Sequence, residues 1–155
     1  MIFSDQRLER LVYVSAATRE LSPAELVELG RKARRNNAER RVTGMLLYIE
    51  GEFFEILEGP SAAVEETFAR ICADERNEWA TPLIREHPFL RAFRSWSMGA
   101  HGLPFRELSG EHFFEPDWEQ VRRRANSDRL VYFGFLERFC QAGEAVGRAS
   151  DSVRG

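Results

Sequence analysis

Residues 51–60 read GEFFEILEGP, and this stretch decides the fold. The run 53–58, FFEILE, is rich in aromatic and branched side chains and reads as a strand. Alternation puts Phe53, Glu55 and Leu57 on one face and Phe54, Ile56 and Glu58 on the other. Each face carries two apolar groups and one carboxylate, so the pattern leaves open which face is wet. Glu58 lies at the strand end, where solvent is expected. Glu55 lies in the middle and is solvated, paired, or set against something that needs a carboxyl group.

Working outward, the strand before it is 42–50, VTGMLLYIE. Glu50, Gly51 and Glu52 join the two as a hairpin turn with glycine at its centre. Upstream, residues 11–15, LVYVS, form another strand, with Leu11, Tyr13 and Ser15 sharing a face. Between them, Leu21, Ser22, Pro23, Ala24 and Glu25 are a helix start: Ser22 caps, Pro23 sits in the first turn, and Glu25 completes a capping box. Leu26, Leu29, Ala33, Asn36 and Asn37 then follow helical spacing. Both asparagines therefore lie on or beside the apolar stripe, away from the RKARR face at 31–35. Polar amides near a core need partners.

Downstream, Gly59, Pro60 and Ser61 open a second helix with Val64, Phe68, Ile71 and Cys72 as its buried stripe and Asp74 near its end. Strands at 82–86 and 93–98 follow, the latter setting Phe93, Ser95 and Ser97 against Arg94, Trp96 and Met98. The order strand, helix, strand, strand, helix, strand, strand predicts an α+β fold, a ferredoxin-like βαββαββ sheet with two helices on one face. Residues 1–100 form this domain. Residues 101–155 form a linker and two C-terminal helices, at about 116–125 and 128–145. The second carries Leu130, Val131, Phe133, Phe135, Leu136, Phe139 and Cys140 around much of its circumference, so it needs cover on more than one side. It is expected to pack on the open face of the sheet, to pair between subunits as a homo-oligomer, or both.

The bulk numbers narrow the function. The 155 residues hold 22 basic and 25 acidic side chains, a net charge of −3, which gives no footprint for nucleic acid or an anionic membrane. No apolar stretch reaches a membrane span and no signal peptide opens the chain. Cys72 and Cys140 fall inside apolar helical patterns, as reduced core thiols do, and a cytoplasmic protein is expected. His87, His101 and His112 have no metal-ligand spacing.

Five segments together resemble the BLUF family of blue-light sensors that use flavin: LVYVS at 11–15, RRNNAERRVTGMLLY at 34–48, GEFFEILEGP at 51–60, ARICAD at 69–74 and WSMG at 96–99. The resemblance spans roughly residues 8–100. It implies a flavin ring between the two helices, FAD in most members, with FMN possible. On this resemblance Tyr13 matches the tyrosine that gives an electron to the excited flavin. Asn37 matches the asparagine bonded to the ring's carbonyl edge, and Asn36 a neighbour on that edge. Arg70 matches a basic position near the pyrimidine end, and Ser15 and Ile71 are further cofactor contacts. Trp96 and Met98 match the mobile pair of strand five, one facing the flavin region and the other displaced. Glu55 matches the glutamine on which the family's photochemistry turns.

That last match is a departure. Glutamine both donates and accepts, whereas an ionised Glu55 only accepts. A protonated Glu55 donates once, and burial beside an apolar ring favours that form. The expectation is an inward-facing, neutral Glu55 in a sensory module that is not an enzyme, since no nucleophile–base pair, P-loop or metal motif is present. With no output domain expected after residue 100, a signal leaves through oligomer state or a downstream protein partner. The alternative is a degenerate BLUF-like interaction or oligomerisation module without photoactivity. A small flavoenzyme ranks last, because no Gly-rich nicotinamide fingerprint appears.

Overall fold

The computed structural model describes residues 7–100, together with the backbone of Phe113 and Phe114. The elements are β1 (Leu8–Ala17), α1 (Pro23–Glu39), β2 (Thr43–Ile49), β3 (Glu52–Pro60), α2 (Ser61–Ala73), β4 (Asn77–Glu86), β5 (Trp96–Ala100) and a two-residue β6 (Phe113–Phe114). The sheet order is β4-β1-β3-β2-β5-β6. The first four strands pair antiparallel, and β5 joins β2 in parallel. This is the ferredoxin-like split arrangement, with β3 inserted between the parallel pair β1 and β2. The helices at 116–125 and 128–145 lie outside the described residues, as do His101, His112 and Cys140.

The local signals for α1 hold in detail. Ser22 Oγ accepts from the Glu25 amide at 3.2 Å and the Glu25 carboxylate accepts from the Ser22 amide at 2.8 Å, a complete capping box with Pro23 in the first turn. At the other end the Asn37 carbonyl accepts from Arg40 and Val42, and Arg41 takes a positive φ of 58°, turning the chain into β2. The β2–β3 turn uses Glu50 and Gly51 at φ 50° and 81°, the left-handed pair that a tight two-residue hairpin requires.

Three apolar clusters divide the core. Leu11, Tyr13, Val42, Leu57 and Val64 lie beneath α2; Leu26, Leu46, Tyr48, Phe53, Trp96 and Met98 lie beneath α1. Val12, Met45, Leu47, Ile49, Phe54 and Ile56 occupy the opposite face of the sheet. Both faces of β3 are therefore buried, which resolves the ambiguity that its alternation left open.

Several expectations need correction. Glu58 is not at solvent: its side chain is fully buried. It accepts from Arg10 Nε and Nη2 at 3.2 and 3.1 Å, and from the amides of Ala92 and Phe93 at 3.0 and 2.7 Å. β3 continues through Gly59 and Pro60 along β1, so the assumed strand end is strand interior. Cys72 is exposed and not a core thiol, because α2 turns Val64 and Thr67 inward instead. β4 is longer than residues 82–86, since two bulges let it follow β1 as far as Ala17. The strand expected at 93–98 runs 96–100, because the Phe93 amide is bound to Glu58 before pairing with β2 begins.

Two substitutions probe this frame. Removing a buried charge partner is worth about 3–5 kcal/mol, so Glu58→Ala should lower the unfolding free energy by about that amount in urea titrations followed by circular dichroism. Gly44 takes φ +148°, and a Cβ there would lie 1.7 Å from the Ile56 carbonyl oxygen. Backbone cannot yield that far, so Gly44→Ala should fail to give a cooperatively folded chain in the same measurement.

Candidate functional site

Pairing of β1 with β3 sets Tyr13 directly opposite Glu55. Both side chains point to the helix-covered face, where Tyr13 is 2% exposed and Glu55 5%. The Tyr13 hydroxyl donates to Glu55 Oε2 at 2.6 Å, a short bond of the charge-assisted kind. Phe68 of α2 packs its ring against Tyr13, with centroids 5.2 Å apart and planes tilted by 56°, which fixes the phenol from above.

Burial governs the chemistry of the pair. It pushes the Glu55 carboxyl up to about 7, opposed by the Tyr13 hydrogen bond, which favours the ionised form. Burial, then the neighbouring Glu55 charge, raises Tyr13 well above its ordinary value. Tyr13 is therefore a neutral donor throughout the physiological range. A carboxyl raised so far above its ordinary range takes up a proton far more readily than a solvated one, which is the direction of the neutral Glu55 expected from the sequence.

The pair forms part of the wall of a cavity of about 450 Å³ between α1 and α2, a size typical of small-molecule sites. Leu29, Ala33, Leu46, Phe53 and Ile71 make its walls apolar, and Asn36, Asn37, Thr67, Lys32, Arg40, Arg70, Asp74 and Arg76 give it polar edges. Ser15 also lines it, with a buried hydroxyl that has no hydrogen-bond partner among the described residues. Asn37 is 3% exposed. Its backbone carbonyl is used by the helix terminus, while its side chain has no hydrogen bond among the described residues. An apolar slot with amides and an orphaned hydroxyl along its sides fits a flat heteroaromatic ring with polar edges.

Of the residues expected at the site, Tyr13, Ser15, Asn36, Asn37, Glu55, Arg70 and Ile71 all line this cavity. Arg70 is half exposed and donates to Glu66 one turn back at 2.8 Å, while Asp74 is held by Arg76. Trp96 and Met98 do not line the cavity. They sit together under α1 beside Leu46 and Phe53, which do, and the Trp96 indole nitrogen is buried without a partner among the described residues. The sequence reading set Lys32 on the solvated RKARR face and passed over Arg40, yet both line the cavity, since each falls three or four residues from the Leu29, Ala33, Asn36 and Asn37 stripe. Thr67 precedes Arg70, Ile71 and Asp74 in the same way on α2. Arg76 and Asn77 lie beyond the helix and carried no periodic signal.

A family model described as BLUF, sensors of blue-light using FAD, matches residues 8–99. Photoactivated adenylate cyclase subunit beta of Euglena gracilis is 42% identical over 73 residues, which are 47% of this chain and 8% of that protein. This chain thus spans under a tenth of the length of the first curated relatives it matches. Among solved structures, Klebsiella pneumoniae BlrP1 with FMN and cyclic diGMP aligns with a TM-score of 0.65 at 27% identity, over 86% of this chain and 34% of that one. The dark-state structure of BlrB, a BLUF protein, aligns with a TM-score of 0.61 at 26% identity, over 90% of this chain and 98% of that one. With the family model covering more than half of its length and the helix-walled cavity at its centre, this chain belongs to the BLUF family of flavin-binding blue-light sensors.

Proposed function

We propose that this chain is a blue-light sensory module, not an enzyme, in which Glu55 stands where the family carries glutamine and makes the light response depend on pH. The observation that carries this reading is the buried Tyr13–Glu55 hydrogen bond of 2.6 Å in the wall of the helix-lined cavity. FAD is the proposed cofactor, with FMN as the alternative. When bound, the flavin supplies absorption of blue light and, once excited, an electron acceptor. Asn36 and Asn37 would hold its polar edge, Arg70 its pyrimidine end, and Leu29, Ala33 and Ile71 its faces.

The chain's own contribution is a proton arrangement that can be set in two ways. When Glu55 is ionised it accepts from Tyr13 and has nothing to donate. When it is protonated it still accepts from Tyr13 through one oxygen and donates from the other, which reproduces half of what an amide does. Only the protonated form therefore offers a continuous donor chain from the Tyr13 hydroxyl toward a ligand acceptor. The silent flavin binder is the same protein at higher pH. A signal would leave through β5, whose Trp96 and Met98 pack one side chain away from the cavity, toward a second copy or a partner protein. The proposed setting is the cytoplasm.

Three outcomes are expected from visible absorption spectra of the purified, flavin-loaded protein, recorded in the dark and after blue light. A reversible red shift should appear at pH 6 and fade as pH rises through about 7, the range where Glu55 loses its proton. Glu55→Gln should keep the shift at every pH between 6 and 9. The folded-state carboxyl is raised above its unfolded value, so the same ionisation costs stability. The unfolding midpoint of the natural chain should fall between pH 5 and 8, and that of Glu55→Gln should not. A light response that ignores pH in the natural chain would remove Glu55 from the switch.

A further inference from the structure

Among the described residues three large apolar side chains stand in water: Trp79 at 79%, Phe89 at 103% and Leu90 at 81% exposure. Phe89 and Leu90 form the apex of the segment between β4 and β5, and that segment is pinned on both sides. His87 Nδ1 lies 3.1 Å from the Leu8 carbonyl oxygen. On the other side Arg91 donates to Thr43 Oγ1 at 2.6 Å and to the Glu58 and Arg41 carbonyls at 2.9 and 2.8 Å. The amides of Ala92 and Phe93 are tied to the Glu58 carboxylate. An apolar tip fixed in this way loses little freedom when something covers it. Its surroundings are cationic. Arg91 is held by neutral oxygens, and Arg41 and Arg94 are exposed; none of the three has an ion pair among the described residues.

Trp79 lies at the other end of the sheet. It follows Glu78, which pairs with Ala16, whereas the pinned segment follows Glu86, which pairs with Arg10. β1 runs ten residues from one end to the other, a span of about 30 Å. Trp79 adopts φ 55° at the bulge opposite Val14 and Ala16, a conformation rare for a bulky side chain. Strain and exposed apolar area both cost free energy, and the indole is left uncovered. Around it the charge is reversed. Glu52 and Glu78 flank Ala16 from the two neighbouring strands. Glu50 sits in the adjoining turn, where Gly51 accepts from the Ala17 amide, and the Glu75 carbonyl accepts from Thr18 Oγ1. All four carboxylates are exposed and have no ion pair among the described residues.

We infer that these two ends are the halves of one interface: the Phe89–Leu90 tip of one copy of this chain docks on the Trp79 end of a second copy, with arginines set against carboxylates. Pairing of like ends would bring arginines to arginines or carboxylates to carboxylates, which is repulsive. The head-to-tail contact is the one that charge and apolar surface favour together. Repeated from copy to copy, it closes a ring or builds an open row. It needs no flavin, and it lies apart from the cavity and its ligand.

The test is sedimentation velocity of the purified full chain over a range of concentrations. The natural chain should form assemblies that grow with concentration. Raising sodium chloride from about 0.05 M to about 0.5 M should weaken them, because screening shortens the reach of the opposed charges. Leu90→Glu and Trp79→Lys alter exposed side chains only, and each should weaken association about tenfold or more, as loss of one buried anchor does. The two variants mixed should form a larger species that neither forms alone, since the first keeps an intact Trp79 end and the second an intact tip. Only a head-to-tail contact gives that recovery. A natural chain without association at any concentration overturns the interface. Association that both variants retain in full places it on another surface and overturns it too, as does a mixture that recovers nothing.

Discussion

The register between β1 and β3 is the constraint on which the rest depends. It places Tyr13 opposite Glu55, Leu11 opposite Leu57 and Arg10 opposite Glu58. Because strand side chains alternate with period two, a slip of β3 by one residue would exchange its side chains between the two faces. Glu55 would leave Tyr13 and the cavity, and Glu58 would be driven beneath the helices away from Arg10. Gly44 adds a local lock, since only the absence of a Cβ lets β2 come so close to the Ile56 carbonyl.

β3 thus carries two buried carboxylates of opposite character, three residues apart. Glu58 is surrounded by donors: a guanidinium and two amides converge on it, so its oxygens are served on several sides. Among the described residues Glu55 has one side-chain donor, Tyr13, and burial lifts it toward neutrality. The same residue type is tied into an ion-pair and amide network on one face and stands beside a single hydroxyl on the other. The number of donors around it makes the difference. Glu58 also binds the chain that leads into β5, so the strand bearing the switch residue anchors the segment entering the strand proposed to respond.

The cavity follows from how two helices meet one sheet. α1 presents Leu29, Lys32, Ala33, Asn36, Asn37 and Arg40 along one line, and α2 answers with Thr67, Arg70, Ile71 and Asp74. Small side chains at Ala33 and Ala73 leave a slot with apolar faces and polar edges. Membership of the BLUF family gives that slot its ligand class. On the proposed reading Glu55 stands in place of a glutamine, and its effect would act through protonation, not shape, because a carboxyl and an amide have nearly the same size.

Much of this was legible in the chain itself. The capping box at Ser22 and Glu25, the Glu50–Gly51 turn and the alternation of 53–58 are local signals, and local backbone physics determines them wherever they occur. The stripe bearing Asn36 and Asn37 and the order of the elements followed from periodicity, and with them the ferredoxin-like fold, while the seven residues of the cavity wall came from the resemblance to the BLUF family. What tertiary structure alone decided is long-range. Glu58 became a buried anion because Arg10, 48 residues away, and the amides of Ala92 and Phe93 meet there. Cys72 went outward because α2 settled on Val64 and Thr67, and Trp96 and Met98 went under α1 instead of into the cavity wall. Arg76 and Asn77 reached the cavity wall because β4 follows β1 as far as Ala17 through two bulges. Periodicity reports which residues share a face; only the folded chain determines what that face meets.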